Sequence, residues 1–201
     1  ASNTCRTFRV SAAEVKGFDG PSMFGTREAR KMDRFVQFAT AATLEALAQA
    51  KFAVDESNRD RVGVLIGSGI GGINTMLAEV ETMRERGPDR ISPFLIPMMI
   101  SDSAAGMIAI RVGARGPNMA IATACATGTN AVGEAAEMIR RGSADVMIAG
   151  AAEASIVAVA IAGMNVMGAL STRNDDPEKA SRPFDLNRDG FDDLFVLDML
   201  A

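Results

Sequence analysis

The chain has 201 residues, 48% of them hydrophobic and 23% charged, with a net charge of −4; it can bury a sizeable core and is neither disordered nor fibrous. The acidic balance, the lack of a strong basic run and the absence of Trp and Tyr argue against a nucleic-acid surface, and no apolar stretch reaches the ~18 residues of a membrane span. The start lacks the order of a secretory signal, so a cytoplasmic protein is expected; two cysteines, Cys5 and Cys125, without metal-ligand spacing or a histidine argue against a structural zinc site.

In chain order, strand and helix patterns alternate, with no repeat, low-complexity segment or separating linker. Arg27, Arg30 and Lys31 stand at the start of the first amphipathic helix, predicted over 32–47, where the helix dipole disfavours positive charge. A short apolar strand is predicted over 61–67, and Gly67-Ser68-Gly69-Ile70-Gly71-Gly72 follows it. This run satisfies the dinucleotide-binding glycine pattern, but the acidic residue expected about 20 positions later, at a second strand end, is not there. A surface helix is predicted over 73–86 and another helix over 101–112.

Residues 118–124 alternate and carry β-branched Ile121 and Thr123, which predicts a strand running into the core. Cys125 sits at its carboxyl end. Ala131, Val132, Ala135, Met138 and Ile139 then recur at helical spacing, closed by Arg140, Arg141 and Gly142. A cysteine on such a strand-to-helix turn faces unpaired helix N–H groups and the positive end of the dipole, which favours thiolate, the nucleophilic form. Small neighbours (Ala124, Ala126, Gly128) leave room for a substrate carbonyl and let backbone N–H groups approach an oxyanion. A buried structural cysteine is the competing reading.

A strand over 146–149 comes next, then an apolar stretch (156–162, Met164, Val166, Met167) that calls for a covering surface. The alternation implies an α/β protein with a mostly parallel sheet between helices. Asp185 to Gly190 copies half a calcium loop, but position twelve is Val196 in place of a bidentate glutamate, so the segment reads as a tight turn presenting Phe191. Thirteen methionines suit either ordinary core filling or a pocket for an alkyl chain.

Together these residues resemble the elongating, type II β-ketoacyl-acyl-carrier-protein synthases. The likeness runs through Arg30-Lys31-Met32-Asp33-Arg34-Phe35, the GSGIGG run, Ile91-Ser92-Pro93-Phe94, Gly113-Ala114-Arg115-Gly116-Pro117, the ATACATG elbow around Cys125, the segment 145–153, the ALSTRND run from Ala169 to Asp175, Ser181-Arg182-Pro183-Phe184-Asp185 and Arg188-Asp189-Gly190-Phe191. Order and spacing agree from about Ser11 to Phe191.

The resemblance implies a thiolase-like layered fold, an α-β-α-β-α sandwich of which residues 1–201 are one amino-terminal half with a mostly parallel mixed sheet. The opening strand of the family is expected to be absent, and the glycine-free tail 192–201 departs from its pattern. Two catalytic histidines, a lysine and a second oxyanion N–H would belong to the other half. By resemblance, Cys125 is the nucleophile, and Gly69, Ile70, Leu95, Ala124 and Met164 line the acyl pocket. Ile70 would move as the chain enters, Leu95 would reach across a dimer, and Phe191 would border the entrance. Arg27, Arg30 and Lys31 would dock an acyl carrier protein, whose phosphopantetheine arm brings the substrate, so that no metal or resident cofactor is needed. A homodimer is implied. A polyketide ketosynthase, a thiolase-like acyltransferase and, more distantly, a Rossmann oxidoreductase are the alternatives.

Overall fold

One buried carboxylate starts two helices. Asp33 has extended backbone and caps the helix α3 (Arg34–Ala50), its Oδ1 accepting from the Phe35 N–H at 3.3 Å. Its Oδ2 accepts from the Thr75 N–H at 2.8 Å and the Thr75 hydroxyl at 2.7 Å, inside the first turn of α4 (Ile73–Arg86). The computed structural model describes residues 14–188. Before α3 lie two short helices, α1 (Gly20–Phe24) and α2 (Thr26–Ala29). The expected helix 32–47 therefore begins two residues later and ends three later, at Ala50, capped by Lys51, whose left-handed backbone (φ 51°) lets its N–H reach back to Ala48 and Leu47.

Among the described residues, 17–154 form one compact unit and 14–16 with 155–188 the other. The first unit is built on a three-stranded parallel sheet of order β2-β1-β3, with β1 (Val62–Gly67) in the centre, β2 (Asn118–Met119) and β3 (Val146–Ala151). Every residue of β1 is buried, which explains its unbroken apolar run. Helices α5 (Leu95–Met99) and α6 (Ser103–Val112) lead from α4 to β2, and α7 (Thr127–Arg140) leads from β2 to β3. The chain steps from β1 to β2 and returns past β1 to β3, so right-handed crossovers place α6 and α7 on opposite faces.

The core follows from that arrangement. Leu65 of β1 packs with Ala131 and Met138 of α7, flanked by Ile121 and Met147. Helix α6 lies against β1 and α3, burying Ala104, Ala105 and Ile108, while Phe35 and Phe38 of α3 are fully enclosed. The alanines let helix and sheet approach closely, and the Phe18 ring meets Phe38 edge-on at 4.9 Å. Arg61 ties the entries of β1 and β3 together, donating to Asp145 at 2.6 Å and to the Gly142 carbonyl at 2.9 Å. Beside β3, a groove of about 530 Å³ is lined by Ala39, Thr43, Leu47 and Phe52 on the helix side and Met147 and Ile148 on the strand side.

In the second unit, α8 (Ala158–Val166) carries the apolar stretch expected to need cover, with Val159 and Val166 exposed along with Met167 just beyond it. Cys5, Phe191 and the second half of the candidate calcium loop lie outside the described residues.

Candidate active site

Parallel strands end together, and the loops leaving β1, β2 and β3 all open at the carboxyl edge of the sheet, where open α/β sheets bind ligands. The β2 loop carries Cys125. The expected strand 118–124 is hydrogen-bonded only at Asn118 and Met119; beyond them the chain leaves the sheet to make the turn, because alternation reports an extended backbone and not its partners. Ala124 takes a left-handed conformation (φ 51°) that residues with a Cβ seldom adopt. One 3-10 turn (Ala124–Ala126) then delivers Cys125, exposed to solvent, to the start of α7.

Thr127 braces the bend. Its buried hydroxyl accepts from the Thr123 N–H at 2.9 Å and donates to the Ala124 carbonyl at 2.6 Å, and Asn130 donates to the Thr123 hydroxyl at 2.9 Å. Among the described residues no side chain caps α7, whose first turn is left to backbone groups beside the sulfur. Gly67 allows the crossing: a Cβ there would overlap Thr127 Cγ2 and the Ile121 carbonyl.

The β1 loop lies against the same elbow. Gly71 has φ 75° and its amide donates to the Ser68 hydroxyl at 2.9 Å, while Gly72 donates to the Met99 carbonyl at the end of α5. The third loop supplies a residue that sequence reasoning missed. Glu153 sends its carboxylate across to the β1 loop, Oε2 accepting from the Gly69 N–H at 2.9 Å and the Ile70 N–H at 3.1 Å, Oε1 from the Ser68 hydroxyl at 3.3 Å. Burial pushes this carboxyl above its ordinary range, and the same hydrogen bonds pull it partly back. Two of the amides that a dinucleotide phosphate would use are thereby taken by the protein's own carboxylate, which removes the physical basis of the Rossmann reading.

Of the expected pocket residues, Gly69 and Ala124 meet: a Cβ on Gly69 would lie 3.5 Å from the Ala124 Cα. Ile70 is next to them and half exposed. Leu95 opens α5, partly buried, and Met164 lies on α8 in the other unit. Phe191 is outside the described residues. The basic cluster corrects an expectation: Arg27, Arg30 and Lys31 do not start a long helix but occupy the end of α2 and the turn after it, so the dipole objection disappears. Lys31 pairs with Glu28 at 2.9 Å, and this contact holds the Glu28 carboxyl below its ordinary range.

A cysteine presented at the carboxyl edge of a parallel sheet, with glycine-rich and acidic loops closing on it, defines an α/β protein of thiolase-like fold. The family model described as Beta-ketoacyl synthase, N-terminal domain, matches residues 3–192, and the chain belongs to the β-ketoacyl synthase family. It is 50% identical over 180 residues to the 3-oxoacyl-[acyl-carrier-protein] synthase 2 of Staphylococcus aureus and 48% identical over 178 residues to that of Synechocystis. These alignments cover 90% and 89% of this chain but 44% and 43% of the relatives, so the chain spans less than half their length. Among solved structures, a β-ketoacyl synthase from Burkholderia phymatum superposes with a TM-score of 0.76 at 34% identity, covering 89% of this chain and 44% of the other. A type II polyketide ketosynthase in complex with its acyl-carrier protein superposes with a TM-score of 0.68 at 25% identity, covering 83% and 45%.

Proposed function

We propose that the whole protein is a 3-oxoacyl-[acyl-carrier-protein] synthase of fatty-acid biosynthesis and that Cys125 is its nucleophile. The observation that carries this reading is the exposed sulfur at the start of α7, on a bend held by Thr127. The Cys125 thiolate attacks the carbonyl carbon of an acyl carrier thioester. The resulting oxyanion is held by backbone N–H groups at the elbow, and its collapse breaks the bond to the carrier's sulfur, leaving the acyl group on Cys125. In the second stage, a malonyl carrier loses its carboxylate as carbon dioxide. The electron pair of that C–C bond becomes a carbanion that attacks the Cys125 thioester, and the 3-oxoacyl carrier leaves as the thiolate returns.

Gly69, Ile70, Leu95 and Ala124 would line the acyl pocket, to which the resemblance alone adds Met164 and Phe191. Arg27, Arg30 and Lys31 would meet an acidic acyl carrier protein, since local charge steers encounters even on an acidic protein. The phosphopantetheine arm arrives with that carrier, so the reading needs no metal or resident cofactor. A cytoplasmic homodimer fits it. The higher identity to the 3-oxoacyl synthases than to the polyketide ketosynthase supports fatty-acid elongation over the polyketide alternative.

The test is product formation by the whole protein from acyl and malonyl carriers. Wild type is expected to make the 3-oxoacyl carrier and Cys125→Ala to make none; equal product from both would remove Cys125 from the chemistry. The second stage needs acid–base groups, and this chain contains no histidine. The 201-residue polypeptide alone is therefore expected to form no carbon–carbon bond, and a measurable rate would contradict that inference.

A further inference from the structure

Glu153 is a partly buried acid with no part in the acyl-transfer chemistry, and withdrawing a carboxylate from water carries a cost in free energy. Its contacts reach 83 to 85 residues back along the chain. One oxygen takes the Gly69 and Ile70 amides, the other takes the Ser68 hydroxyl, and that hydroxyl takes the Gly71 amide. A single side chain thus orders four consecutive residues. Gly69 is held between the carboxylate and the elbow: a Cβ there would sit 3.1 Å from Glu153 Oε2 and 3.5 Å from the Ala124 Cα. The backbone of Ile70, the neighbour of Gly69 in the chain, is therefore set from the end of β3. Donors that charge-assist a carboxylate in this way are stronger than neutral pairs.

We propose that Glu153 is a positioning residue that fixes the 68–71 loop against the Cys125 elbow and so determines which acyl chains the cysteine accepts. This deepens the acyl-transfer reading and rests on it. The raised proton affinity of the partly buried carboxyl agrees with a group kept for its geometry at some cost.

The experiment compares the whole protein as wild type, Glu153→Ala and Glu153→Gln, measuring thioester formation at Cys125 from butanoyl and from tetradecanoyl carrier protein. Each rate is divided by the rate at which iodoacetamide, which needs no acyl pocket, alkylates the same cysteine. Glu153→Ala is expected to change the long-to-short ratio roughly tenfold, mainly through half-saturation, as hydrogen bonds to a charged group are lost. Glu153→Gln keeps one oxygen for the amides and is expected to return within about threefold of wild type. Ser68→Ala removes the other half of the network, should Glu153→Ala not fold, and is expected to move the ratio in the same direction. A ratio unchanged in all variants, or long and short rates that fall together, would overturn the positioning role while leaving the nucleophile standing. A wild type that is alkylated at Cys125 but never acylated would instead overturn the acyl-transfer reading itself.

Discussion

Thr127 braces the elbow and Glu153 the loop beside it, one through a hydroxyl and one through a carboxyl group. Replacing Thr127 by Val keeps the shape but leaves the Thr123 N–H and Ala124 carbonyl without their partner, at a cost of about 1–3 kcal/mol. Urea unfolding of the whole protein should show that loss, and Thr127→Ser should recover most of it; equal stability of the Val variant would mean the brace is idle. Glu153 should be visible in the pH dependence of stability. Its folded pKa lies above the ordinary 4.5, so the folded protein holds the proton more tightly than the unfolded chain. The stability linked to that proton is then complete below 4.5 and is lost as pH rises through the raised value. Glu153→Gln is expected to flatten that stretch of the curve, and a variant curve parallel to wild type would contradict the burial assigned to it. The turn that carries Cys125 was legible in the sequence because small residues between an apolar run and a helix mark a turn. Glu153 was not, because an acid two residues past a strand reads as solvated until a fold brings distant amides to it.

At the scale of elements, Asp33 couples α3 and α4, and its removal exposes the start of both. Asp33→Ala should destabilise the whole protein by on the order of 2–4 kcal/mol, summing a lost cap and unpaired Thr75 donors. Calorimetry that shows no change would mean that water replaces the carboxylate. The predicted helix 73–86 coincides with α4, and the predicted strand 61–67 differs from β1 by one residue. Both are bounded by residues with a physical signature, glycine for α4 and a continuous apolar run for β1. The elbow strand and the basic cluster were harder to read. Their state depends on whether a neighbouring strand is in register and on a short helix, α2, whose four residues give no periodicity.

For the whole molecule, β3 has a partner on one side only among the described residues, and the apolar groove beside it is bounded by α3. An unpaired strand edge next to apolar surface invites association. The 201-residue polypeptide expressed alone is therefore expected to sediment as an assembly, and a stable monomer would show that this face is closed by the chain itself. The parallel sheet and its layers were legible from strand and helix alternation, whereas the convergence of three loops on one edge needed the strand order β2-β1-β3. That convergence sets the exposed Cys125 at the edge where the three loops open, the place the proposed chemistry requires. The measurement that bears on it most directly is the mass of the elbow peptide after the whole protein has met an acyl carrier. The acyl group should be found on Cys125 and vanish in Cys125→Ala; an adduct on another residue, or one that survives the substitution, would contradict the assignment.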